Sequence, residues 1–246
     1  MAEKVEKINP YDGDGRGKTQ QVEAMFDSIA PAYDFMNSAM SMGLHRRWLR
    51  RAIAEVALSA PADILDVATG TADVAIALAR RLPDAAITGI DLSEGMLTVG
   101  RRKVAKAGLS GRISLLQADC LSLPFADNSF DAVTVAYGVR NFEHLLEGYR
   151  EMVRVLRPGG RLVVIELSTP QQAIVKPFYK FYTKCIIPVA GRIVSKDVRA
   201  YSYLPESIAA VAQGEDMTAL MAQAGLSDAR FRRLTLGVCT IYTGKK

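Results

Sequence analysis

Gly70 closes an apolar run, Ile64-Leu65-Asp66-Val67-Ala68-Thr69-Gly70, and an acid, Asp91, stands at the end of the next such run. Backbone at such a glycine can approach a ligand closely, and a carboxylate in the second position can accept hydrogen bonds from ribose hydroxyls. Gripping a pyrophosphate calls for G-x-G-x-x-G, but Ala72 and Ala75 hold the other two places. The pattern favours a phosphate-free adenosine cofactor such as S-adenosylmethionine over a nicotinamide or flavin dinucleotide. The plainer alternative is that Gly70 only turns the chain and Asp91 only caps a helix beginning near Ser93. Asp119-Cys120, after a third apolar run, adds a carboxylate and a backbone N–H suited to an adenine edge.

A second constellation is Ala136-Tyr137-Gly138-Val139-Arg140-Asn141. Enzymes that methylate amino groups of bases or glutamine commonly carry Asn/Asp-Pro-Pro-Tyr/Phe at such a place, and this chain does not. A guanidinium beside a carboxamide suits an oxygen anion instead. A surface ion pair of Arg140 with Glu143 is the competing reading. Gly13-Asp14-Gly15-Arg16-Gly17-Lys18-Thr19 has the residue types of a phosphate loop, but three rather than four residues separate Gly13 from Gly17 and no strand precedes it. It reads as flexible N-terminal chain. His45-Arg46-Arg47-Trp48 with Arg50 and Arg51 reads as the solvated face of an amphipathic helix. Two histidines, His45 and His144, and three scattered cysteines, Cys120, Cys185 and Cys239, lead us to expect neither a protein-built metal site nor a disulfide framework.

A parallel sheet is needed to bring these residues together, and the alternation along the chain predicts one. Strands are expected at Ala62 to Ala68, Ala86 to Ile90, Ile113 to Gln117, Ala132 to Ala136 and Arg161 to Glu166. Helices are expected at Thr71 to Arg81, from Ser93 to about Lys106, and at Leu145 to Leu156, where Arg157-Pro158-Gly159-Gly160 stops the last one. After a helix near Met217 to Ala224, the runs Ala229 to Leu234 and Val238 to Thr243 predict an antiparallel hairpin on the sheet edge. The whole chain, 1–246, reads as one α/β domain with two elaborations, 1–59 and 168–207. In the second, Pro177 can open and Pro188 close a helix carrying Phe178, Phe181, Tyr182 and Cys185 on one face, with Lys176, Lys180 and Lys184 at intervals of four. That segment either covers the core or forms a lid over an apolar ligand near an anionic membrane surface.

The 246 residues are 49% hydrophobic and 23% charged, enough apolar side chain for a sizeable core and too much for disorder, collagen or a whole-chain coiled coil. The net charge of +5 coincides with the excess in Ala173 to Arg199, which holds six basic residues and one acid. This points away from nucleic acid and toward a lipid-facing element. A polar N-terminus and free cysteines favour a cytoplasmic protein.

Together these residues give the chain a resemblance to class I S-adenosylmethionine methyltransferases. It is closer still to the quinone-biosynthesis C-methyltransferases that act on demethylmenaquinol or 2-polyprenyl-6-methoxy-benzoquinol. The family blocks are Met25-Phe26-Asp27-Ser28-Ile29-Ala30 with Tyr33-Asp34-Phe35-Met36-Asn37, Gly43-Leu44-His45-Arg46-Arg47-Trp48, Leu123-Pro124-Phe125, Tyr137-Gly138-Val139-Arg140-Asn141 and Tyr203-Leu204-Pro205-Glu206-Ser207-Ile208. Ala72 stands where the family usually has Gly, Cys120 where it commonly has Ala, and Ala136 where some relatives have Ser or Gly. The resemblance implies a Rossmann-like, mostly parallel seven-stranded sheet. It also implies S-adenosylmethionine at Thr69, Gly70, Asp91, Asp119, Cys120 and Ala136, with Tyr33, Arg140 and Asn141 around a prenylated quinol. Segments 1–59 and 168–207 would cover that substrate, with Phe178, Phe181 and Tyr182 as lid, and peripheral attachment at the inner membrane face is compatible with that role. A homodimer is left open, and so is the choice of ring. A nicotinamide oxidoreductase and a non-catalytic adaptor are the competing classes.

Overall fold

The computed structural model describes residues 3–11, 13–181 and 198–246. Seven strands, β1 Asp63–Val67, β2 Ala86–Asp91, β3 Ile113–Gln117, β4 Phe130–Ala136, β5 Leu156–Leu167, β6 Ser227–Leu234 and β7 Cys239–Lys245, lie in the order β3-β2-β1-β4-β5-β7-β6. The first five pair in parallel, and β7 runs antiparallel to both β5 and β6. The expected mostly parallel sheet with an antiparallel hairpin at its edge is what forms.

Alternation of side chains explains why the central strands bury apolar residues on both faces. Leu65 and Val67 of β1, Val133 and Val135 of β4, and Leu162 and Val164 of β5 enter one core. Ile64, Ala132, Val163 and Ile165 enter the core on the opposite face. Helices cover the two faces, among them α5 Asp73–Arg81, α6 Glu94–Lys106, α7 Leu145–Val155 and α10, which we assign to Glu215–Gln223. Ser93 is the N-cap of α6, its Oγ accepting from Met96 N at 3.0 Å.

One boundary differs from expectation. Arg157-Pro158-Gly159-Gly160 does not separate helix from strand. It lies within β5, which begins directly after α7. Leu156 pairs with Phe130 and Arg161 with Ala132, and the register shift between them accommodates the Pro-Gly-Gly sequence, with Gly159 at φ 80.

The segment 1–59 is helical, as α1 Glu3–Glu6, α2 Lys18–Ile29, α3 Tyr33–Met40 and α4 Leu44–Ala57. Further on, α8 is Val175–Phe181 and α9 is Val198–Ala210. A third core joins Met25, Ile29, Met36 and Met96 to Tyr203, Leu204 and Ile208 of α9, so that α2, α3 and α9 make a roof over the loops that follow the parallel strands. The glycine-rich stretch before α2 is ordered by its side chains. Asp14 and Arg16 pair at 2.6 Å, Gln21 Nε2 donates to Arg16 O, and buried Lys18 donates to Val5 O at 2.5 Å. Burial lowers the Lys18 amine to about 8.

Candidate active site

The loop after β1 is tied down from beneath. Thr69 Oγ1 donates to Asp66 Oδ2 at 2.6 Å, and Gly70 N donates to Asp91 Oδ2 at 2.8 Å. Asp91 Oδ1 accepts from Ser93 N at 3.0 Å. Turning the chain, capping and ligand binding are therefore compatible roles, because each Asp91 oxygen keeps a lone pair after these bonds. Burial pushes the Asp91 carboxyl up to about 6 and the Asp66 carboxyl up to about 7. After β3, Asp119 Oδ1 accepts from Leu121 N at 2.9 Å. The Cys120 thiol is buried and pushed well above its ordinary range, which leaves it a small apolar side chain and no nucleophile.

Two cavities open at the carboxyl ends of the parallel strands, beside the point where β2 and β4 flank β1 on opposite sides. The smaller, about 680 Å³, is bounded by Gly70, Asp91, Asp119 and Cys120. The larger, about 1450 Å³ and open to solvent, is lined mainly by apolar residues of α2, α3, α4 and α9. Tyr33, Ala68, Gly70, Ala136, Tyr137 and Asn141 line both, so the cavities meet there. The smaller cavity fits S-adenosylmethionine in its chemistry. Asp91 has acceptors left for a ribose diol, and at Gly70 the nearest atom to an added Cβ would be Tyr33 Cε1 at 3.9 Å, leaving room for close approach.

Arg140 is not a surface residue. It is 7% exposed, in a short 3-10 turn at Val139–Asn141 after β4, and its partner is Glu166 of β5, itself 1% exposed. Nη1 donates to Glu166 Oε1 at 2.9 Å and also to Tyr137 O. Glu143, the partner anticipated from sequence, instead accepts from Thr19 Oγ1 at 2.6 Å and Thr19 N at 3.0 Å. Burial works against the guanidinium charge, but Glu166 together with Tyr33 and Tyr203 outweighs it and the pKa of Arg140 is raised. Arg140 Nε, Asn141 Oδ1 and Tyr203 Oη are buried without a hydrogen-bond partner among the described residues. Burial raises the Tyr33 phenol, and the nearby Arg140 charge opposes that rise.

Of the expected site residues, Tyr33, Gly70, Ala136 and Asn141 lie at this junction, Thr69 and Arg140 line the larger cavity, and Asp91, Asp119 and Cys120 line the smaller. Thr69 spends its hydroxyl on Asp66 and lines the larger cavity rather than the smaller. Ala136 lies at the meeting of the two cavities and offers no side-chain hydrogen bond. Phe178 and Phe181 fall on α8, with their side chains outside the description, and Tyr182 lies outside the described residues. Tyr179, between them in sequence, lines the larger cavity. Sequence reasoning passed over Glu166, Tyr203, His45 and Trp48. An acid ending the otherwise apolar Leu162-Val163-Val164-Ile165-Glu166 was the available signal for the first.

Comparison with known proteins bears on this arrangement. The chain is 52% identical over 241 residues to a demethylmenaquinone methyltransferase of Bacteroides fragilis, covering 98% of each. It is 49% identical over 242 residues to that of Porphyromonas gingivalis, again covering 98% of each. To the ubiquinone/menaquinone biosynthesis C-methyltransferase UbiE of Geobacter sulfurreducens it is 46% identical over 230 residues, 93% of this chain and 90% of the relative. Among solved structures the fold is shared with the [4+2]-cyclase SpnF, at TM-score 0.70 and 18% identity over 93% of this chain and 96% of that one. An S-adenosylmethionine-dependent methyltransferase from Aquifex aeolicus matches at TM-score 0.55 and 20% identity, over 74% and 81%. Residues 15–246 match the ubiE/COQ5 methyltransferase family, and the chain belongs to it as an S-adenosylmethionine-dependent methyltransferase.

Proposed function

We propose that this protein methylates a ring carbon of a prenylated quinol in respiratory quinone biosynthesis, with demethylmenaquinol as the preferred acceptor and 2-polyprenyl-6-methoxy-benzoquinol as the second. The observation that carries the proposal is the buried Arg140–Glu166 pair, with Arg140 Nε lacking a partner among the described residues, on the wall of a large apolar cavity that joins the smaller one. When bound, S-adenosylmethionine would supply its sulfonium methyl group to a nucleophilic carbon attacking in line, the S–CH3 bond breaking to release the thioether S-adenosylhomocysteine. Asp91 would hold its ribose, Asp119 and the backbone at Cys120 its adenine, and Gly70 would allow its close approach.

A quinol ring carbon attacks well only when an adjacent hydroxyl is ionised or nearly so. Arg140 remains protonated, so it is no base. Its role is to stabilise the phenolate oxygen from a buried position on the cavity wall, while a water from the open cavity accepts the hydroxyl proton. Tyr33 and Asn141 orient the ring at the junction. A water likewise takes the proton that leaves the methylated carbon and restores aromaticity. Alignment of this kind can supply up to about 7 to 11 kcal/mol of the barrier. The helices of 1–59 and the segment 168–207 are the covering elements in this proposal.

Cytoplasmic residence with peripheral attachment at the inner membrane face extends the reading. Its support is the sequence spacing of Lys176, Lys180 and Lys184 and the apolar character of the substrate. No helix among the described residues is long and apolar enough to cross a membrane. A homodimer is read directly by light scattering.

Incubation with methyl-labelled S-adenosylmethionine and a reduced prenylated naphthoquinol tests the function. Label on a ring carbon of the product is expected. Label on oxygen, or none with either ring, would overturn it.

A further inference from the structure

Helix α3 is apolar on two sides. Its inner side, with Tyr33, Met36 and Met40, lines the larger cavity. Its outer side presents Phe35, 63% exposed, with Ala39 one helical turn on, and Met42, 78% exposed, follows in the turn between α3 and α4. Large apolar side chains this exposed and close together in the chain mark an interaction surface. Helix α4 follows after a three-residue turn. Its inner side, with His45, Trp48 and Leu49, lines the same cavity, and its outer side carries Arg46, Arg47, Arg50 and Arg51, all exposed. Among the described residues none of these four arginines has an ion-pair partner. The neighbouring acids are taken: Asp34 and Asp73 by Lys103, and Glu55 by Arg161 and Arg232.

We propose that the outer face of α3 and α4 docks on an anionic lipid bilayer, Phe35 and Met42 entering the acyl boundary and the arginines meeting lipid phosphates. The charge complementarity selects the occupant: guanidiniums unpaired among the described residues, beside exposed Phe35 and Met42, match a phosphate layer over hydrocarbon. Docking there leaves α3 as the wall between the bilayer and the substrate cavity, so a lipid-dissolved prenyl chain reaches the junction by crossing one helix. This placement rests on the reading that the acceptor carries a prenyl tail, but the surface itself is tested without any acceptor.

The full chain would be sedimented with phosphatidylcholine vesicles, with and without phosphatidylglycerol. Binding is expected only to the anionic vesicles. Phe35→Ser with Met42→Ser, and separately Arg46→Glu with Arg50→Glu, should each weaken it roughly tenfold or more, with the melting temperature unchanged. Turnover of a short-tailed quinol in solution should stay at the wild-type value in both variants, and turnover of a long-tailed quinol held in vesicles should fall with the binding. Absence of wild-type binding, or undiminished binding by both variants while Lys176→Glu with Lys180→Glu abolishes it, would overturn the proposal. Vesicle binding that depends on Phe35 and Arg46, in a protein that methylates neither quinol, would support the surface while sinking the substrate reading.

Discussion

Glu166→Gln separates the charge of the Arg140 partner from its shape. At 2.9 Å the attraction between the two ions is roughly 6 kcal/mol at an effective dielectric near 20. Release of a carboxylate from burial returns part of that. Glutamine also keeps an acceptor for Arg140 Nη1 and for Leu167 N, which bonds Oε1 at 2.8 Å. What is left is an unpaired guanidinium at 7% exposure, a net loss of about 3 kcal/mol, at the low end for breaking a buried pair. For a chain of this size that is roughly a 6 to 12 °C fall in Tm. Removing the second charge should recover stability, so Arg140→Met combined with Glu166→Gln melts above Glu166→Gln alone. In the assay, Glu166→Gln lowers kcat roughly ten- to a hundredfold through a displaced guanidinium, with KM for S-adenosylmethionine unchanged. A wild-type Tm for Glu166→Gln, or a double variant destabilised by the sum of the single losses, would refute the coupling on which the site rests.

Arg140→Ala should lower turnover by roughly 10² to 10³ with little change in S-adenosylmethionine affinity, measured by calorimetry alongside kcat; equal loss in both would end the division of labour between the cavities. Asp91→Ala should weaken cofactor binding first, by about 1.5 to 3 kcal/mol for a charge-assisted bond, and an unchanged calorimetric Kd would remove it from the site. Asp66 titrates near 7 folded against 3.8 unfolded, so the folded state holds its proton longer, and its contribution to stability falls as pH rises between those values. Denaturant midpoints at pH 5 and 8 should therefore show Asp66→Asn gaining about 3 kcal/mol on the wild type at the higher pH; a gap that does not change with pH would contradict the burial argument.

The central strands were legible because a strand buried on both faces is rich in apolar residues, and Asp91 and Asp119 were legible because each follows such a short run, although β3 itself is a largely exposed edge strand. Asn141 and Arg140 were found by their chemistry, but the one ion partner weighed for Arg140, in the competing reading, was a neighbour in sequence. Glu143 is three residues away in the chain, whereas Glu166 reaches it across the β4–β5 pairing, where Ala136 stands opposite Ile165. Periodicity carries no information about contacts of that kind. The larger cavity was hidden for the same reason. Met25, Tyr33, Trp48 and Tyr203 come from four helices, and only the tertiary packing of those helices around the cavity makes them neighbours. His45 and Trp48 were read with the arginines around them as a solvated face, but a helix spacing of three to four turns them inward while Arg46 and Arg47 stay out.

The alanine at position 72 shows how the cofactor loop departs from a glycine-rich pattern without losing its shape. Ala68, Gly70 and Ala72 all have positive φ, at 53, 57 and 65, and Tyr137 across the junction has φ 59. For the non-glycine residues this conformation costs on the order of 1 kcal/mol each, so the surroundings must impose it. They do so at both ends: Thr69 N is held by Ile90 O at 2.8 Å, Gly70 N by Asp91, and Tyr137 N by Ile165 O at 2.8 Å. Between the two loops Gly138 cannot carry a side chain, because its Cβ would sit 2.7 Å from Ala68 Cβ. At Ala72 the compensation is steric. The residue is fully buried, and a Cβ on Gly100 of α6 would lie 3.3 Å from its methyl and 3.0 Å from Leu115 Cδ1. The methyl group that helix α6 lacks at position 100 is supplied by the loop at position 72, so packing recovered there offsets backbone strain. Asp91 thus acts before any ligand arrives, since the same carboxylate that would meet a ribose fixes the loop at the one glycine where close approach is needed.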